Sequence, residues 1–102
     1  MMKRYEIWRA RVKFEESGEE IKERPVLLWG GQAFLVAYKM TGTDRGDNRD
    51  EYRVRHWKES GLEKPTSIRI RKVLKLENTD LVCKIGELDK RDRLLFELRI
   101  AP

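Results

Sequence analysis

The stretch Arg24-Pro25-Val26-Leu27-Leu28-Trp29-Gly30-Gly31 constrains this chain more than any other. Proline has no N–H to give a β-ladder, so within sheets it belongs at the first residue of a strand or on an edge. It also pushes the residue before it, here Arg24, into extended geometry. Val26 to Trp29 then run apolar without alternation, the pattern of a strand covered on both faces. Gly30-Gly31 is a hairpin signal, and a second largely apolar strand, "AFLVAYKM", follows it. Residues 25–40 are thus expected to form a hairpin at the centre of a sheet. The charged run Lys22-Glu23-Arg24 stops where that strand begins, which leaves an arginine at its mouth.

The flanking segments read as further strands. Trp8, Ala10, Val12 and Phe14 alternate with Arg9, Arg11 and Lys13, a period of two with one face buried and one charged. "EESGEEIKER" reads as a mobile loop and "TGTDRGDNRD" as a polar one. Alternation returns with Tyr52, Val54 and His56 against Arg53 and Arg55. It returns again with Ile68 and Ile70 against Arg69 and Arg71, and Leu74 and Leu76 carry the run on. In "LDKRDRLLFELRI", Asp89 suits a helix cap, Asp92 falls three residues later, and Leu95 and Leu98 share a face. The expected tally is about five strands, a turn of helix near 79–83 and a C-terminal helix. Short antiparallel strands joined by hairpins predict a mainly β fold, a small, strongly curved sheet or half-open barrel.

With 102 residues, the chain is expected to form one domain, 1–102, with a modest core. Lys and Arg number 23 against 18 Asp and Glu, a net charge of +5. That balance suits nucleic acid, an anionic membrane surface or an acidic protein, and equally a merely soluble exterior. The single cysteine, Cys83, rules out an intramolecular disulfide, and its apolar setting "DLVCKIG" predicts a small buried residue. No apolar stretch reaches the roughly 20 residues that span a bilayer, and the basic start lacks the apolar segment of a signal peptide. The simplest expectation is a cytoplasmic protein that does not enter a membrane.

Three i, i+2 arginine pairs, Arg9 with Arg11, Arg53 with Arg55, and Arg69 with Arg71, each point to one face of a strand. On neighbouring strands they would gather guanidinium groups whose planar forks match phosphate. They suit the solvated faces of amphipathic strands as well. Trp8 falls on the apolar side of its strand; Trp57 falls on the arginine side, where it is the better candidate for stacking an unpaired base and suits a subunit interface equally. The lone histidine, His56, lies on the apolar side and reads as a packed, hydrogen-bonded structural residue. No HExxH, Walker loop or dinucleotide fingerprint is present, so an enzyme built on this chain is expected to need no nucleotide cofactor and no metal.

Taken in order, "YEIWRARV", "ERPVLL", "AYKMTG", "GLEKPTSIRIRKV" and "KIGEL" before the last helix resemble the MazF/PemK toxin family over essentially the whole chain. The resemblance implies an SH3-like, half-open barrel of the CcdB/PemK type, usually a homodimer. It implies the toxin of a type II toxin–antitoxin pair: a metal-independent, sequence-specific endoribonuclease (an mRNA interferase) for single-stranded RNA, blocked by a cognate antitoxin with an acidic tail. It assigns catalysis to Arg24 and Thr41 and makes Arg69 a candidate in the active groove. Arg53, Arg55, Arg71 and Trp57 are further candidates for gripping RNA.

Three places depart from that pattern. Tyr5-Glu6 stands where relatives commonly have Gly-Asp, Gly42 follows the threonine where Ser or Thr is frequent, and Arg71 stands where some relatives carry an acid. The resemblance therefore leaves the general base unassigned, with Glu6 the nearest acidic candidate. The runner-up reading is a non-catalytic domain on the same scaffold that binds nucleic acid or a protein such as a topoisomerase.

Overall fold

The computed structural model describes residues 3–13, 20–31, 33–43 and 49–101. β1 (Glu6–Lys13) keeps the alternation read from the sequence: Ala10 and Val12 are buried, and Arg11 and Lys13 are exposed. Phe14 and the first half of the expected loop after it, residues 15–19, lie outside the described residues; from Ile21 the second half is not loop but the start of the next strand. β2 (Ile21–Gly30) and β3 (Leu35–Thr41) form the expected central hairpin. Val26, Leu27 and Leu28 are all buried because successive side chains serve opposite faces. Leu27 joins a cluster with Ile7, Met40, Ile68 and Phe96, while Val26 and Leu28 join one with Ala10, Val12 and Ala37.

β2 starts earlier than expected, which changes the place of Pro25. Residues Ile21 to Leu27 all pair antiparallel with β1, Pro25 itself standing opposite Arg9. Pairing with β3, in contrast, begins only at Val26, opposite Lys39. Pro25 has no N–H to carry that second ladder further. Beyond this point β2 stays with β1, and the end of β3 stays with β5 (Ser67–Leu76), where Met40 and Thr41 face Ile68 and Ser67. The sheet therefore forks at Pro25. Arg24 lies on one arm and Thr41 on the other.

The sheet has six strands in the order β4-β5-β3-β2-β1-β6, with β4 (Glu51–Arg53) and β6 (Leu81–Glu87) at its edges. β6 corrects the expected helical turn near 79–83, which is a 3₁₀ turn over Asn78–Asp80 followed at once by strand. It escaped the sequence reading because an edge strand has little apolar side chain to bury. Val82, Cys83 and Lys84 are consecutive exposed residues, so there is no alternation to find. Cys83 is accordingly exposed, not buried as its neighbours suggested.

The segment after β4 reaches across the curled sheet to its opposite edge, β6. Gly61, at φ 88°, lies against the backbone of Ile85 and Gly86 in β6. A Cβ on Gly61 would stand 2.5 Å from the Ile85 carbonyl oxygen, and one on Gly86 would stand 2.2 Å from that of Ser60. This contact gives a physical reason for glycine in both "GL" and "KIG". Ser60 locks it from inside, its Oγ donating to the His56 carbonyl and accepting from the Asp89 amide, both at 2.9 Å. Gly86→Ala is expected to cost about 1–3 kcal/mol by overpacking against backbone that cannot swing aside. An unchanged urea midpoint for this variant would refute the close approach.

α1 (Lys90–Ile100) begins at the expected cap, with Asp89 Oδ1 accepting from the Arg91 amide at 2.9 Å. Its inward face differs from the expectation: Leu98 is 64% exposed, whereas Asp92 and Phe96 are buried. Phe96 enters an aromatic cluster edge-on, with ring centroids 5.2 Å from Tyr38 and 5.6 Å from Trp29. A buried carboxylate beside Phe96, one turn earlier, is what turns Leu94 and Leu98 outward. No helix among the described residues is long and apolar enough to cross a membrane.

Candidate active site

At the fork the sheet holds a cleft of about 860 Å³. One wall is β2, with Glu23, Arg24 and Pro25; the other is the end of β3, from Lys39 to Thr41, continued by Gly42 and Thr43. Arg9 of β1, Cys83 and Ile85 of β6, and Arg69 of β5 reach it across the curved face, and residues 61–64 with Thr66 form the rim. Five cations and two carboxylates line this space, so it favours a polyanion.

Each wall is held in place. Arg24 is exposed, and its Nη1 donates to the Glu23 carbonyl at 2.9 Å, which folds the guanidinium back along its own strand. Thr41 is half-buried, its Oγ1 accepting from the Thr43 amide at 3.2 Å. That bond leaves the hydroxyl proton available to a ligand. Arg69 is half-buried beside the Glu51 carboxylate, at 3.9 Å. Among the described residues no ion pair holds Arg9 or Lys64.

Of the residues singled out from the sequence, the cleft brings together Arg24, Thr41 and Arg69. The others stand elsewhere. Arg53, on edge strand β4, donates to Ser67 Oγ at 3.1 Å, and Arg55 is exposed just after that strand. Arg71 pairs with Asp50 at 2.9 Å. Trp57 packs against the core cluster, with Lys58 Nζ 5.3 Å from its ring. Glu6 is buried away from the cleft, where it accepts from Trp8 Nε1 at 2.9 Å and faces Lys84 Nζ at 3.4 Å. Burial pushes its carboxyl up, but the hydrogen bonds from Trp8, the Lys3 backbone and Lys84 outweigh this and hold it below the usual carboxylate range. A carboxylate held that way is a poor proton acceptor. The carboxylates that do line the cleft are Glu23 and Glu63.

Sequence reasoning passed over Arg9 as a cleft residue, together with Lys39, Lys64 and Glu63. Arg9 was visible as half of an arginine pair, but its partner Arg11 turns to the Thr79 carbonyl at 3.3 Å. Among the described residues the cluster with metal-type donors is His56, Asp89 and Asp92. Asp92 there accepts from the Tyr52 hydroxyl, from two backbone amides and from the His56 ring, so its oxygens are occupied by the fold. His56 is the hydrogen-bonded structural histidine expected of it.

No family model and no curated protein sequence matches the chain. Solved structures do. The toxin MazF-mt6 of Mycobacterium tuberculosis aligns over 93% of this chain and 91% of its own, with a TM-score of 0.74 at 22% identity. A second structure, described as an Mtb toxin, aligns over 76% of this chain and 88% of its own, with a TM-score of 0.65 at 23% identity. The chain has a MazF-like fold. Its open, curled sheet with one C-terminal helix is the architecture expected from the sequence.

One departure in sequence, Tyr5, falls at an unusual backbone position. Tyr5 has φ 75°, the left-handed region that glycine enters at no steric cost. Tyrosine is kept there by two backbone hydrogen bonds, Tyr5 N–H to the Leu28 carbonyl at 2.9 Å and Leu88 N–H to the Tyr5 carbonyl at 2.8 Å. Its ring meets Trp29 at 5.4 Å.

Proposed function

We propose that the chain is the toxin of a type II toxin–antitoxin pair, a sequence-specific endoribonuclease for single-stranded RNA that works without a metal. The observation that carries this reading is the meeting of Arg24 and Thr41 at the mouth of one cation-lined cleft on a MazF-like fold. In the reaction proposed, the 2′-hydroxyl of the RNA attacks its own phosphodiester. The O2′–P bond forms, the P–O5′ bond breaks, and the products are a cyclic phosphate and a 5′-hydroxyl. One proton leaves the 2′-oxygen and one reaches the departing 5′-oxygen, so the step consumes no external reagent.

Arg24 supplies charge to the non-bridging oxygens as they become more negative in the transition state. With a side-chain pKa above about 12, it acts as a fixed cation rather than a proton donor. Thr41 donates a hydrogen bond to one of the same oxygens, and Arg69 grips a neighbouring phosphate. Glu23 and Glu63 are the cleft carboxylates within which a base is to be sought. The protein acts in the cytoplasm as a homodimer, and an antitoxin with an acidic tail competes with RNA for the same cations.

The test is direct. The purified chain, in excess chelator, is expected to cut mixed-sequence single-stranded RNA into fragments with new 5′-hydroxyl ends, and its expression alone is expected to arrest growth. Intact RNA in the presence of folded protein would overturn the catalytic reading. Salt-sensitive RNA binding without cleavage would instead favour a binding domain on the same scaffold. The placement of Glu6, engaged outside the cleft, is the observation that keeps this second reading in view.

A further inference from the structure

We infer that Lys64 is a phosphate-binding residue of the cleft, and that Gly42 is glycine because the Lys64 side chain occupies the space beside it. The inference rests on the RNA-binding reading above and adds to it a residue that no motif identified. A Cβ built on Gly42 would stand 2.5 Å from Lys64 Cε, 3.0 Å from its Nζ and 3.4 Å from its Cδ. The ammonium therefore lies over the residue that follows Thr41, on the cleft wall where the phosphate is expected. Gly42 is not among the described glycines with positive φ, so its backbone gives no reason for glycine. Space does.

The backbone that carries Lys64 is fixed on both sides. Gly61, three residues before, is clamped against β6, and Leu62 between them is 9% exposed within the core. On the other side Thr66 Oγ1 donates to the Lys64 carbonyl at 2.8 Å. Only the side chain is free to adjust, which suits a compact ammonium with three donors seeking a phosphate oxygen. Among the described residues no carboxylate pairs with it. A cation held near a wall without a counter-ion is a site waiting for an anion, and here the anion is a phosphodiester of the bound strand.

The geometry also supplies its own control. Because the obstructing atoms are the far end of a flexible side chain, Gly42→Ala leaves the backbone undisturbed and displaces Lys64. The probe is a single-stranded RNA of mixed sequence, fully 2′-O-methylated so that no free 2′-hydroxyl can attack. Its affinity is measured as a function of salt for the unaltered chain, Lys64→Ala, Lys64→Gln, Gly42→Ala and the double variant Gly42→Ala/Lys64→Ala.

Loss of one phosphate contact lowers the slope of log K against log salt by about 0.7 for a single strand, and both Lys64 variants are expected to show this. Gly42→Ala is expected to weaken binding when Lys64 is present and to add nothing when it is absent. Unfolding midpoints equal to that of the unaltered chain confirm that the comparison is between folded proteins. An unchanged slope in Lys64→Ala, with the unaltered chain binding RNA, overturns this inference alone. So does a Gly42→Ala effect of equal size with and without Lys64. Failure of the unaltered chain to bind the probe at any salt overturns the RNA reading and this inference with it.

Discussion

Arg24→Ala is expected to slow RNA cleavage by about 10²–10³-fold while leaving the fold intact, the scale of losing one preorganised donor to a developing oxyanion. The two halves of that expectation have separate causes. Arg24 contributes its backbone to the β1–β2 ladder, opposite Ala10, and any residue tolerant of a strand supplies the same amide and carbonyl. Its exposed side chain adds a hydrogen bond to the neighbouring Glu23 carbonyl, so stability should change by no more than about 0.5 kcal/mol, as for surface substitutions in general. The chemistry has no such substitute. In the reaction proposed, the cation at the fork meets a phosphate whose charge increases as the reaction proceeds. Arg24→Lys keeps the charge and loses the planar fork, so an intermediate rate is expected. Single-turnover cleavage and thermal unfolding, measured on the same preparations, check both halves. A rate within threefold of the unaltered protein would remove Arg24 from the mechanism.

The second large effect lies outside the cleft. Asp92 is fully buried, and its carboxylate accepts from the Tyr52 hydroxyl at 2.6 Å, the Arg55 amide at 2.8 Å and the His56 amide at 3.0 Å, with His56 Nδ1 at 3.1 Å. Burial, then the bond to Asp92, pushes the Tyr52 hydroxyl well above its ordinary pKa, so it stays protonated and keeps donating. Asp92→Ala leaves these donors without their partner, the Tyr52 hydroxyl among them inside the core. The expected loss is about 3–5 kcal/mol, a large part of the 5–15 kcal/mol typical of whole domains. For a domain of this size that corresponds to a fall in Tm of roughly 15–30 °C. Asp92→Asn keeps an acceptor oxygen and should fall between. A loss below about 1 kcal/mol would mean that α1 is anchored by Phe96 and its aromatic neighbours alone.

The two residues show what kind of information the sequence held. Arg24 was legible because its signal is local: a proline beside it and an unbroken apolar run after it. The buried strand, the alternation of β1 and the Asp89 cap were legible on the same terms. Asp92 was not. Its role depends on donors 36 to 40 residues earlier in the chain, and hydrophobic periodicity instead pointed to Leu98 as the inward residue. β6 was missed for a related reason, since an exposed edge strand leaves no apolar rhythm. The cleft followed the same division. Arg24 stood out from its own neighbours and Thr41 only through the family resemblance, whereas Arg9 and Lys64 reach the cleft only because the sheet curls until Gly61 meets β6. The glycines at 61 and 86 were the trace of that curling, visible in the sequence as isolated letters until their backbones were found in contact.

Pro25 leaves a last consequence. Most clefts owe their width to loops, and loops breathe with temperature and salt. Here the divergence of β2 from β3 begins where a backbone nitrogen carries a ring carbon instead of a hydrogen. It acts as the stop on a zipper: the strands can close up to Val26 and no further. The opening through which RNA would enter is thus set by a covalent bond.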